Sequence, residues 1–324
     1  MGSGYWSDDA YRAAATFRAR TGSADFAYSA STKARPVSEW TAHPDLDPKG
    51  VGVRESRDND EHPRSTPIVV MFDVTGSMGS VPVAMQKQLS QLHGLLLRKD
   101  YATDPQIMFG AIGDAETDYV PLQVGQFESD NRMDDQLRNI LLEGNGGGQK
   151  SESYELAAYF LARHTATDAW EKRGRKGYVF LIGDEMNKRK LRSRHIREVI
   201  GDEVHRDLDL ASIYRELQER WEVFYILPRQ TSYYDDPQVR GHWRDILGER
   251  VLFLEDPNAV CDLIAVTVGM LEDVVDLEDG LTDLDDLGVG TSVVVGKALA
   301  PLSTGAARVP SRPPAGLSGP DDLL

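Results

Sequence analysis

Cysteine is almost missing from this 324-residue chain: Cys261 is the only one. One thiol cannot form an internal disulfide framework, a zinc cluster or a CxxC redox site. A surplus of positive charge is missing too. Asp and Glu number 52 against 36 Lys and Arg, giving a formal charge of −16. That balance argues against nucleic acid as a partner, because phosphate contacts need a basic surface. It argues equally against electrostatic attachment to an anionic membrane. No long hydrophobic run is present. Stretches such as 68–72 and 178–182 fall far below the roughly 18 residues that suggest a membrane span. The start is polar and lacks the layout of a signal peptide, and Trp6 stands where a myristoylation signal wants Ser or Thr. Cytoplasmic residence is the expectation. With 40% hydrophobic and 27% charged residues, the composition is that of a globular chain with material for a sizeable core.

Residues 1–66 read as an N-terminal arm, partly helical or irregular. A helix is expected over 9–20, and 45–64 is charged and broken by Pro and Gly. From residue 67 the pattern changes. Continuous apolar, β-branched runs at 68–72, 107–112, 178–182, 223–227 and 251–254 predict strands buried on both faces. Residues 119–124 pair with the second strand after a turn at 114–118. Helical spacing intervenes after Ser80 and over 133–142, 154–163, 239–247 and 259–271, with Ile213 and Leu217 in a charged helix. Strands alternating with helices predict a doubly wound, Rossmann-like α/β domain over 67–272. Its sheet is mostly parallel with one antiparallel edge strand, and helices cover both faces. Residues 272–286 carry eight acids and no base, and the end is rich in Pro, Gly, Ser and Ala. The tail 273–324 is expected to be mostly disordered.

The chemistry lies at Phe72-Asp73-Val74-Thr75-Gly76-Ser77-Met78. A carboxylate closes a buried strand, and hydroxyls follow two and four residues later. Loops after the carboxyl ends of parallel strands converge on one crevice. A second carboxylate, Asp184, follows the strand at 178–182, with Glu185 beside it. Between them Gly146-Gly147-Gly148-Gln149-Lys150-Ser151-Glu152-Ser153 delivers hydroxyls and an acid to a helix start. Aspartates with hydroxyls, and no Cys or paired His, are hard ligands that suit Mg²⁺ or Mn²⁺, Ca²⁺ less well and zinc poorly. Neutral hydroxyls leave such an ion electrophilic towards a partner's carboxylate.

At these residues the sequence resembles the von Willebrand factor A (VWA) family, whose metal-ion-dependent adhesion site (MIDAS) has an Asp-x-Ser-x-Ser element, a downstream Thr and a downstream Asp. Asp73, Thr75 and Ser77 match the first element, with Thr for its first Ser, and Asp184 matches the last. Residues 146–152 resemble the Gly-Gly-Gly-Asp-x-Pro-Glu pattern of the branch found beside alpha-kinase-type domains, with Gln149 for Asp and Ser151 for Pro. Ser151 takes the middle position, with Glu152 and Ser153 as rivals. The resemblance implies the VWA fold over 67–271. It also implies a cation held by Ser77, Thr75 and the middle hydroxyl, with Asp73 and Asp184 acting through waters. A protein partner's Glu or Asp would complete the coordination. Bacterial relatives of this kind serve as intracellular adaptors, some with AAA+ ATPases.

The rival from another class is an Mg²⁺-dependent phosphatase or hydrolase using Asp73, since Asp73-Val74-Thr75 loosely resembles the haloacid-dehalogenase start. Thr75 stands where that chemistry needs a second acid, and neither a Walker loop nor a Gly-x-Ser-x-Gly elbow is present. No enzymatic activity is expected. Asp114 and Asp118 read as turn acids, and the histidines as surface or packed residues. Cys261 reads as a buried thiol. Tyr233, Tyr234 and Trp243 fit packing, with a contact patch as the alternative. The basic cluster Lys188, Arg189, Lys190, Arg192, Arg194 and Arg197 suits a solvated face, an acidic partner or the chain's own acidic segment.

Overall fold

A computed structural model of the chain describes residues 4–144 and 150–304. The predicted strands all form: β1 Thr66–Asp73, β2 Pro105–Ile112, β3 Leu122–Val124, β4 Gly177–Ile182, β5 Trp221–Pro228 and β6 Val251–Leu254. They make one six-stranded sheet in the order β6-β5-β4-β1-β2-β3. Every pair is parallel except β2 with β3. The chain winds outward from β1 through β2 and β3, then returns to begin again at β4 on the other side of β1. The order therefore reverses between β1 and β4, where a doubly wound sheet opens a crevice at its carboxyl edge.

Alternation along the strands feeds two cores. Ile68, Val70 and Phe72 join one apolar cluster, and Val69 and Met71 join the other. The helices are α1 Asp8–Thr21, α2 Ala27–Lys33, α3 Val81–Arg98, α4 Arg132–Arg138, α5 Tyr154–Arg163, α6 Leu210–Arg220, α7 Pro237–Leu247, α8 Val260–Leu271, α9 Leu277–Asp286 and α10 Ser292–Thr304. Residues of α3 and α8 fill the first cluster, and residues of α5, α6 and α7 the second. Among the described residues no helix is long and apolar enough to cross a membrane.

The arm packs onto the sheet domain. Tyr11, Phe26 and Leu46 lie in the first cluster, the Tyr11 hydroxyl donates to the Gln86 carbonyl at 2.7 Å, and Arg18 pairs with Asp134 at 2.7 Å. Residues Arg54–Ser56 add a short parallel pairing to Thr165–Thr167. Past residue 272, the expectation of disorder is corrected over 277–304, where α9 and α10 dock on the first cluster with Leu284, Val295 and Leu299 fully buried. Leu277, Leu281 and Leu284 recur at helical spacing beneath the acids, and burying that stripe outweighs the charge. Asp283 is held by Lys99 and by the Tyr101 hydroxyl, each at 2.5 Å. The tail from 305 onward lies outside the described residues.

Candidate metal centre

Asp73 is the last residue of β1, and in register Phe72 lies beside Ile182 of β4. The two chain segments leaving these strands are thus adjacent at the reversal point. Past Asp73 the backbone turns through Gly76–Met78, and Gly79 takes φ +51° and ψ −112°, a left-handed conformation that a side chain would strain. The turn brings Thr75 and Ser77 over the end of β4.

The oxygens form a chain. Ser77 donates its hydroxyl proton to Asp184 Oδ1 at 2.8 Å, so the 2.9 Å contact between Thr75 Oγ1 and Ser77 Oγ is donated by Thr75. Asp73 Oδ1 accepts the Thr75 N–H at 2.7 Å, and its Oδ2 accepts the Tyr154 hydroxyl at 3.1 Å. Asp184 Oδ2 accepts the Tyr233 N–H at 3.0 Å from the loop after β5. Asp73 and Asp184 are each 0% exposed. Burial pushes the Asp73 carboxyl up to about 7, with the Thr75 bonds opposing and Asp184 adding to the rise. Burial also raises Asp184, against the bonds from Ser77 and the Tyr233 N–H.

Of the predicted set, the structure brings Asp73, Thr75, Ser77 and Asp184 together. Ser151 stands apart from their hydrogen-bonded chain among the described residues. That residue is half-buried in a two-residue strand paired with Met186, and among the described residues no hydrogen bond joins its hydroxyl to the other four. The Ser153 hydroxyl accepts the Ala115 N–H at 3.0 Å, and the Ser153 N–H donates to Gly113, which clamps the loop after β2. Glu152 is the member of this segment that faces Asp73. It is 1% exposed, and its carboxyl is raised by burial first, then by Asp73 and Glu185. Glu185 is raised in turn by its own burial, with Asp73 and Asp184 adding to it. The glycine turn at 146–148 and Gln149 lie outside the described residues.

Tyr154 and Tyr225 are the parts sequence reasoning missed, whereas Trp243 takes the packing role read for it. A Cβ on Gly183 would stand 1.8 Å from the Tyr154 hydroxyl, so glycine here is what lets that hydroxyl reach Asp73. Trp243 Nε1 and the Tyr225 hydroxyl both donate to the Glu185 carbonyl, at 2.8 and 3.1 Å, and their rings stack 3.8 Å apart. Trp243 is therefore packing beneath the site. Lys188 of the basic cluster turns inward, pairing with buried Asp114 at 2.7 Å and donating its backbone N–H to Glu155. Arg192 pairs with Glu116, so Lys188 and Arg192 both reach the loop after β2, and among the described residues no ion pair joins the cluster to the segment 272–286.

Cation chemistry suits this donor set. Among the described residues no three acids, histidines or cysteines converge as a metal cage, so an ion here would need the Thr75 and Ser77 hydroxyls as well. Glu152 and Glu185 hydrogen-bond to one another, and the buried Oε2 atom of each has no further partner among the described residues.

No protein-family model matches the chain, and no curated protein matches it. Among solved structures it is similar to the pilus adhesin SpaC from Lactobacillus rhamnosus GG in its open conformation, at 11% identity and TM-score 0.44 over 66% of this chain and 31% of that one. Another is proximal thread matrix protein 1 from the mussel byssus with a zinc-occupied MIDAS motif, at 10% identity and TM-score 0.42 over 67% and 48%. A third is a von Willebrand factor type A structure from Catenulispora acidiphila, at 13% identity and TM-score 0.35 over 63% and 42%. The chain spans less than half the length of each of these structures.

Proposed function

We propose that this protein is a metal-ion-dependent protein-binding module, acting as a cytoplasmic adaptor that captures an acidic side chain of a partner. Asp73, Thr75, Ser77 and Asp184 would hold the ion, and Mg²⁺ or Mn²⁺ would supply a hard positive charge that a partner's Glu or Asp can meet. The observation that carries this reading is the hydrogen-bonded run Thr75–Ser77–Asp184 beside buried Asp73, at the point where the strand order reverses. The side chains are preset for the task. Tyr154 and the Thr75 N–H fix the two Asp73 oxygens, and the Tyr233 N–H fixes one Asp184 oxygen.

The same contacts speak against Asp73 as a nucleophile. Both of its oxygens accept hydrogen bonds, and the residue is closed to solvent. We accordingly assign no catalytic step to the site.

Affinity capture from native lysate, with Mg²⁺ or with EDTA, tests the proposal alongside Ser77→Ala. A set of partners retained in Mg²⁺, lost in EDTA and lost by the folded variant is the expected result. Equal capture in both buffers and by both proteins would sink it.

A further inference from the structure

The turn that carries Thr75 and Ser77 hangs between β1 and α3, and the N-terminal arm grips a neighbour on each side of it. On the α3 side Gln86 is buried. Its side-chain amide donates to the Asp25 carbonyl at 2.7 Å, and its own carbonyl accepts the Tyr11 hydroxyl. On the other side lies the segment 140–144, where the buried Ser29 hydroxyl accepts the Leu142 N–H at 3.1 Å. Two residues on, the Gly144 N–H donates to the Val74 carbonyl at 3.1 Å. The Gly144 carbonyl oxygen lies 3.1 Å from where a Cβ on Gly76 would stand, so this segment closes directly on the turn. Lys33, the last residue of α2, brings Nζ to 3.5 Å from the Cβ position of Gly144. Between the two grips Phe26 is buried in the first cluster. The segment is also tied towards β3. Gln123 accepts the Leu141 N–H at 2.8 Å, and Glu143 accepts the Tyr119 and Val120 N–H groups. Ser29 holds the residue between those two ties from the arm.

Resting on the metal reading above, we propose that residues 25–29 of the arm are a positioning element of the site, a brace from α3 to the segment 140–144 that fixes the turn bearing Thr75 and Ser77. Neutral hydroxyls have no charge with which to draw an ion into place, so their value as ligands depends on being placed beforehand by the groups behind them. Residues 25–29 act through Gly144 and α3. Losing the Ser29 hydroxyl leaves the Leu142 N–H without its acceptor and frees the strut that backs Val74 and Gly76.

Hydrogen exchange at the Gly144 and Thr75 amides, read by NMR on the full chain in EDTA, tests the brace with Ser29→Ala and Gln86→Met. Both amides should exchange faster by about twofold to thirtyfold, the range of couplings carried through packed networks. Isothermal titration of Mn²⁺ should show binding weakened by about the same factor. Leu299→Ala loosens α10 on the same cluster and should leave Mn²⁺ affinity at the wild-type value, which separates placement from a general loss of stability. Near-UV circular dichroism checks that each variant is folded, and the two variants sit on opposite grips, so either one can carry the test. Wild-type exchange at both amides in the folded variants, or Mn²⁺ binding undiminished in them, overturns this inference and leaves the metal reading standing. Equal weakening by Leu299→Ala overturns it as well. No Mn²⁺ uptake by the wild type would overturn both.

Discussion

Replacing Asp73 with asparagine should stabilise the cation-free protein, by an amount that depends on pH. The Asp73 carboxyl sits at about 7 in the fold, well above its ordinary 3.8. At about 1.36 kcal/mol per unit, keeping it ionised in the fold costs roughly 4 kcal/mol. Because the folded value is raised, the stability is fully present below pH 3.8, falls as pH rises towards 7, and levels off above it. Between pH 5 and pH 8 the loss from this group is about 2–3 kcal/mol. Asparagine cannot ionise, but it gives up one acceptor, at a cost of about 1 kcal/mol. The net expectation for Asp73→Asn in EDTA is thus little change at pH 5 and a gain of about 3 kcal/mol at pH 8. For a domain of this size that corresponds to roughly 6–12 °C in melting temperature. Thermal melts across pH 5–8 with EDTA measure it. Asp184, Glu152 and Glu185 are raised in the same direction, so the variant keeps a reduced slope. Added Mn²⁺ should reverse the order at pH 8, stabilising wild type more than the variant. A variant whose melting temperature tracks that of the wild type at every pH would refute the argument that Asp73 is a buried charge awaiting a cation.

Two further substitutions probe the frame around the site. Gly183→Ala places a methyl 1.8 Å from the Tyr154 hydroxyl and must displace it, so it should cost about 1–3 kcal/mol in urea titrations and weaken Mn²⁺ binding. Tyr154→Phe, which removes only that hydroxyl, should reproduce the binding loss. Leu299→Ala on α10 deletes a fully buried side chain and should lower stability by about 2–5 kcal/mol. An unchanged urea midpoint would mean that α10 does not dock.

The strands were legible because burial on both faces leaves nothing but apolar residues, as in Val69, Val70, Met71 and Phe72. Their winding order followed from the alternation with helices, and with it the meeting of Asp73 and Asp184. The C-terminal helices were not legible from composition. Eight acids over 272–286 suggest a solvated chain, yet Leu284 is fully buried while Asp283 answers Lys99 across 184 positions of sequence. A count of charges cannot see a stripe of three leucines or a distant lysine. Tyr154 was hidden for a similar reason: its hydroxyl reaches Asp73 because a glycine just past β4 leaves room, and that pairing exists only in the fold.

The middle loop shows the limit most sharply, since the choice there is one of register. Residues 151 and 153 share one side of an extended segment and residue 152 takes the other, so motif spacing alone cannot say which side faces Asp73. The backbone decides it. Ser151 pairs with Met186 and Glu152 with Asn187, and the Met186 N–H donates to the Lys150 carbonyl at 3.0 Å. That register turns Glu152 towards Asp73 and leaves Ser153 to clamp the loop after β2. A slip of one residue would exchange carboxylate for hydroxyl on that side. Which side chain of this segment lies on the Asp73 side is therefore set by two short strands outside the main sheet.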